Sequence, residues 1–233
     1  MKWIPDPTGR FPHRPFFEDG EIDYECEAIV TKFLLDKCGK ISYPISTNDL
    51  TILLEQYAGE VDLFADLSNY DGNVEGVTEF YANKKPNVLI SLELSEQTNR
   101  ENRYRTTLTH EFGHVHLHGF LLSGGQMNMF ADGVTENNRC KRETILGAIK
   151  TDWMEWQAGY ASGALLIPIT PLKSLCKDFY QKSELLTVSA VGSPTGSQLI
   201  LNVVDNFQVS QDAARVRLLQ LKFLTQHQQT PRF

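Results

Sequence analysis

Cysteine is scarce in these 233 residues: Cys26, Cys38, Cys140 and Cys176 are the whole set, and no two stand at C-x-x-C spacing. That excludes a disulfide scaffold and a cysteine-built structural zinc site, and leaves four reduced thiols of cytosolic type. Long hydrophobic runs are also missing, since no stretch approaches the roughly 20 apolar residues of a membrane span. The first ten residues, MKWIPDPTGR, lack the apolar core of a signal peptide. The expectation is a cytoplasmic protein. Positive charge is in deficit, with 22 Lys and Arg against 29 Asp and Glu and a net charge of -7. A nucleic-acid binder working by bulk electrostatics is therefore disfavoured, although a local basic patch remains compatible. The length suffices for a substantial core, as one large domain or a main domain with a smaller appendage.

What the chain does hold is concentrated between Thr106 and His118, TTLTHEFGHVHLH. His110, Glu111 and His114 stand in the order H-E-x-x-H, and on a helix the two imidazoles fall one turn apart on one face, where they can grip one metal ion. Glu111 lies beside the first of them, placed to take a proton from a metal-bound water and pass it to a leaving amine. Tyr104, Leu108, Phe112 and Val115 recur at helical spacing and predict a buried stripe. His110 and His114 sit beside that stripe, and Thr107 and His118 extend their row. Gly119 is placed to end the helix.

Zinc in a catalytic centre usually has three protein ligands and an open position. The metzincin pattern would put a further histidine at position 120, which here is Phe120. His116 points away from the pair, and His118 lies a full turn beyond it, so a third ligand must come from elsewhere. Glu155 is the leading candidate, on a helix expected from about Thr151 to Leu166 and ended by Pro168. Gly159, Ser162 and Gly163 leave little bulk on the following turns, which lets a second helix come close. Glu143, Asp132, Asp152 and Cys140 are its rivals. Tyr160 and His118 are candidate donors to a developing oxyanion, and His118 could instead orient a ligand.

Around this centre, residues 1–20 are rich in proline and predict an extended segment. Helices are expected over Glu21–Cys38 and over Asp49–Ala58, the second capped by Ser46 or Thr47. Val61–Leu92 changes to strand periodicity, with a strand at Val88–Leu92 and, in Gly76–Ala82, a strand whose free edge could pair with an extended substrate. A long connection follows the motif from Gly119 to Arg142, where Met127, Met129 and Phe130 cover a cleft or plug the core. A short helical piece at Ile145–Ile149 leads into the Glu155 helix. Further on come a helix from Leu172 to about Gln181, a polar turn at Gly192–Ser197 and an apolar run at Leu199–Val204. Ser210 caps a last helix with Ala213, Val216, Leu219 and Phe223 inward, on which Arg215, Arg217 and Lys222 form the most basic part of the chain.

HEFGHVHLH at His110, EWQAGYASGALLIP at Glu155 and VSQDAARVRL at Val209 together resemble the ImmA/IrrE family of zinc metallopeptidases over roughly residues 40–220. The resemblance implies an α+β fold: a zincin-like metallopeptidase core, mostly helical with a small mixed sheet, over 21–170, and a C-terminal helical appendage over 171–233 with helix-turn-helix character. It implies Zn2+ held by His110, His114 and Glu155, with Glu111 as catalytic glutamate. It also implies a protein substrate, a helix-turn-helix transcriptional repressor whose cleavage or inactivation releases stress or mobile-element genes. The competing reading is a metal-stabilised regulator that binds a repressor or DNA and cleaves nothing.

Overall fold

The computed structural model describes residues 1–18, 20–70, 73–81, 83–123, 136–141, 152–184 and 187–226, of which 122, 123 and 136–141 are described by their backbone alone. Met127, Met129, Phe130, Asp132, Glu143 and the expected helical piece Ile145–Ile149 lie outside the described residues. The rest forms an α+β fold, mostly helical, with a small mixed sheet and a C-terminal helical appendage.

The proline-rich start is extended, and it is also paired: β1 (Lys2–Pro5) and β2 (His13–Phe16) make an antiparallel hairpin in which Trp3 faces Pro15. Helix α1 (Glu21–Cys38) ends at Gly39, whose N–H reaches Leu35 O. Helix α2 (Thr47–Tyr57) begins at Ser46, whose side chain accepts from Asp49 N, so the serine is the cap. Its Leu50, Leu53 and Leu54 are buried, as the three- and four-residue spacing requires.

The sheet runs β3 (Val61–Ala65), β5 (Asn87–Ser91), β4 (Val74–Phe80) and β6 (Glu136–Lys141), with β3 parallel to β5 and the other neighbours antiparallel. Val77 is opposed by Leu89 on one side and Arg139 on the other. The edge expected in Gly76–Ala82 is therefore not free from Gly76 to Glu79, where β4 is paired with a strand on each side. The strand that covers it comes out of the connection after the motif, where Glu136–Lys141 carries no hydrophobic alternation to announce it.

After β5, α3 (Leu92–Glu96) and a 3-10 turn at Thr98–Arg100 lead into α4 (Glu101–Ser123), which carries the H-E-x-x-H motif. Helix α4 does not stop at Gly119. It runs a further turn, and Gly119 instead lies against Pro86, where an added Cβ would meet the ring at 3.1 Å. Leu108, Phe112 and Val115 are buried in the main core and Tyr104 packs partly buried against it. The opposite face of α4 is covered as well, by α5 (Trp153–Leu166). Buried Arg105 fastens α4 to the rest, donating to Ile45 O before α2 at 2.7 Å and to Phe207 O at 3.3 Å.

Helix α6 (Ile169–Lys182) follows Pro168. The polar turn at 192–197 is in fact a helix start: Ser193 accepts from Gly196 N and Pro194 occupies the first turn, so the apolar run Leu199–Val204 belongs to α7 (Pro194–Phe207). Ser210 caps α8 (Gln211–Gln220) as expected. The inward face of α8, however, is Ala213, Ala214, Arg217 and Leu218, with Val216, Leu219 and Phe223 only partly covered. Arg217 is buried, ion-paired with buried Asp23 of α1, and donates Nε to Ile167 O at 3.1 Å. Arg215 pairs with Asp212 on its own helix. The basic tail is thus not a contiguous charged surface.

Because both members of the Arg217–Asp23 pair are withdrawn from water, removing one leaves a buried charge uncompensated. Arg217→Met should lower the unfolding free energy by about 3–5 kcal/mol, read as a shift in the urea midpoint at unchanged slope.

Candidate metal centre

Two helices meet at the site, and the residues that let them meet are small. An added Cβ on Gly113 of α4 would lie 2.9 Å from Ala158 Cα and 3.0 Å from Ala158 O on α5. Glycine inside a helix costs about 1 kcal/mol relative to alanine, a cost offset here by close approach. Next to this contact Thr109 Oγ1 and Ser162 Oγ lie 2.7 Å apart, and Ser162 also donates to Thr106 O. Of the small residues expected to admit the partner helix, Ser162 does so. Gly163 instead faces Arg217 of α8, and Gly159 lines a small cavity of about 90 Å³ shared with Tyr160, Val216 and Arg217.

At this junction the imidazoles of His110 and His114 point at the Glu155 carboxylate. His110 Nε2 lies 3.1 Å from Glu155 Oε2, His114 Nε2 lies 3.1 Å from Glu155 Oε1, and the two Nε2 atoms are 3.1 Å apart. Neutral imidazole nitrogens of this kind and a carboxylate are all lone-pair donors, and together they repel unless a cation stands between them. Donors held tetrahedrally about 2.0–2.1 Å from zinc are roughly 3.3 Å from one another, so the spacing suits a single ion. Among the described residues these three are the group that could hold a metal, with their donor atoms all within 4.8 Å. Both histidines are fully buried, while the Glu155 side chain keeps 12% of its surface.

Electrostatics follow from that enclosure. Burial opposes ionisation of Glu155, but His114 and His110 outweigh it and hold its carboxyl well below the usual range. Burial likewise opposes protonation of His114, and the carboxylates of Glu155 and Glu111 overcome it, raising its proton affinity. Glu111 shows the reverse balance: burial raises its pKa despite the opposing pull of both imidazoles and the Thr78 hydroxyl.

Glu111 is fully buried beneath β4. Thr78 Oγ1 donates to its Oε2 at 2.5 Å, whereas Oε1, unlike most buried side-chain oxygens, has no hydrogen-bond partner among the described residues. Gly76 gives that oxygen room, since a Cβ there would sit 2.5 Å from Oε1. Glu75 fixes the start of the same strand by pairing with Arg100 and Arg103 ahead of the motif.

The remaining candidates fall elsewhere. Asp152 caps α5, accepting from Glu155 N at 3.4 Å, and Asp132 and Glu143 are outside the described residues. Cys140 is described by its backbone alone, which pairs with Gly76. Tyr160 is no oxyanion donor, because its hydroxyl donates to Asp23 at 2.6 Å; burial and that bond push its pKa up to about 12. His116 turns away from the pair and stacks on Phe112, with Glu25 3.4 Å from its Nε2. His118 is not among the three converging donors, but its ring nitrogen contacts His114. Sequence reasoning missed Thr78 and Gln157, which carry no local signal. An isolated glycine inside a strand pattern could have pointed to Gly76 as a place of close backbone approach.

Donors of this kind, set beside a buried glutamate on an H-E-x-x-H helix, define a zinc-dependent metallopeptidase of zincin type. The family described as IrrE N-terminal-like domain, Peptidase_M78, matches residues 56–219, and the chain belongs to it. A comparison with curated proteins finds no match.

Gly76→Ala should displace the Glu111 carboxylate while leaving the three converging donors in place. The expected result is unchanged zinc stoichiometry with peptide hydrolysis reduced about a hundredfold, the cost of misplacing a reacting group by an ångström or so.

Proposed function

We propose that the chain is an endopeptidase in which His110, His114 and Glu155 hold zinc and Glu111 moves the protons. The observation that carries this reading is the triangle of 3.1 Å separations between two imidazoles and one carboxylate brought from separate helices. Zinc bound there would lower the pKa of a water toward about 7 and polarise a peptide carbonyl. The protein's own part is to remove the water's proton and deliver it to the departing amine. Glu111 suits both steps. Its Oε2 is anchored by Thr78, its Oε1 is unencumbered, and burial raises its proton affinity toward that of a base able to give the proton back.

The substrate class is a protein, and the particular substrate we propose is a helix-turn-helix transcriptional repressor, cleaved or inactivated so that stress or mobile-element genes are released. Family membership supports a protein substrate; the repressor is the choice implied by the resemblance, and a cytoplasmic location follows from a DNA-bound target. Direct recognition of DNA through Arg215, Arg217 and Lys222 draws no support from the buried position of Arg217.

Two variants test the assignment with purified chain, zinc and the repressor encoded nearest to its gene. E111Q should keep one zinc per chain and lose cleavage by about 10²–10⁴-fold, the usual contribution of a positioned acid-base group. Derepression that survives in E111Q would establish the binding regulator in place of the peptidase. E155A should instead lose the metal itself, and zinc retained at wild-type affinity would remove Glu155 from the centre.

A further inference from the structure

We propose that the N-terminal hairpin supports the metal centre through a directed hydrogen-bond relay, from Pro15 O through Gln157 and His118 to His114. The inference rests on the reading of His114 as a zinc ligand. It assigns two positioning residues, Gln157 and His118, and gives a role to a segment that lies outside the matched family region.

The direction of the relay is fixed at its far end. Pro15 O is a carbonyl and can only accept, so the group 3.0 Å away on Gln157 must be the amide NH2. With Nε2 committed there, Gln157 turns Oε1 toward His118 Nε2 at 3.0 Å, and that nitrogen must carry a proton. His118 Nδ1 is then the bare nitrogen of a neutral ring, and it faces His114 Nδ1 at 3.1 Å. A proton on His114 Nδ1 completes the contact, which leaves His114 Nε2 with its lone pair directed at His110 and Glu155. The opposite direction would put the His114 proton on Nε2, inside the cluster of donors, where it would exclude an ion.

Every link is enclosed. His114 and His118 are fully buried and Gln157 retains 3% of its surface, so water does not compete for these bonds. The anchor is also held. Pro15 pairs with Trp3 in the hairpin, Phe11 between the two strands packs with Trp153, Met154, Leu121 and Phe80, and the Arg14 guanidinium lies over the Trp153 ring. Trp153 in turn meets His118 edge-on, which fixes the plane of the imidazole.

The test combines metal affinity with the tautomers themselves. In zinc-loaded wild type, long-range 1H–15N spectra of the histidine rings should show His114 protonated at Nδ1 and His118 at Nε2. H118F, which fills the space without an acceptor, should weaken zinc binding about 10–100-fold in a chelator competition. H118Q, which restores an acceptor, should recover most of that loss. Q157L should release the lock, giving His118 a mixture of tautomers and a smaller loss of affinity. Should H118F fail to fold, Q157L and the wild-type spectra still decide the matter. Wild type with His118 protonated at Nδ1, or H118F or Q157L binding zinc as tightly as wild type, would overturn the relay while leaving the metal centre intact. Wild type that binds no zinc would overturn the metal centre instead.

Discussion

Everything in this molecule depends on α4 and α5 approaching closely enough for side chains from both to share one small volume. Gly113 permits the approach, Thr109 and Ser162 hold it, and the donors at 110, 114 and 155 are its product. Mutual repulsion among three lone-pair donors in a dry site must be met by a cation or by protons. The packing that forces them together therefore stores a demand for positive charge. The raised proton affinity of His114 and the depressed pKa of Glu155 express the same demand.

The second constraint is the strand above the motif. By lying directly over α4, β4 supplies Thr78 to one oxygen of Glu111, and the other has no partner among the described residues. One carboxylate thus has one oxygen held by a hydroxyl and one with none to hold it. Burial in this position separates its behaviour from that of Glu155: one carboxyl is pushed toward neutrality and the other held ionised. Two like groups acquire opposite proton affinities because only one of them is hydrogen-bonded to both imidazoles.

The parts legible in the amino-acid pattern were those governed by local rules. Periodicity and caps located α1, α2, α4 and α8, with Ser210 acting as expected and Ser46 taking the cap left open between it and Thr47, and the H-E-x-x-H spacing with Glu155 anticipated which donors converge. What was illegible depended on partners distant in the chain. Gly119 reads as a helix stop until Pro86 is placed beside it. Arg217 reads as a solvated charge until Asp23, nearly two hundred residues earlier, is found against it. Polar Glu136–Lys141 becomes a strand through backbone pairing with β4, for which side-chain patterning carries no signal. Ser193 and Pro194 were a missed opportunity, since a serine followed by proline is as much a helix start as a turn.

The recognisable stretch of the chain begins at residue 56, yet α1 packs against α5 and α2 against α4 from before that point. Heredity and mechanics therefore divide this polypeptide at different places. A fragment trimmed to the recognisable stretch would keep Glu111 and the three converging donors and lose part of the walls around them. It would uncover the faces of α5 and α4 on which α1 and α2 pack, and would strip buried Arg217 of its counter-charge.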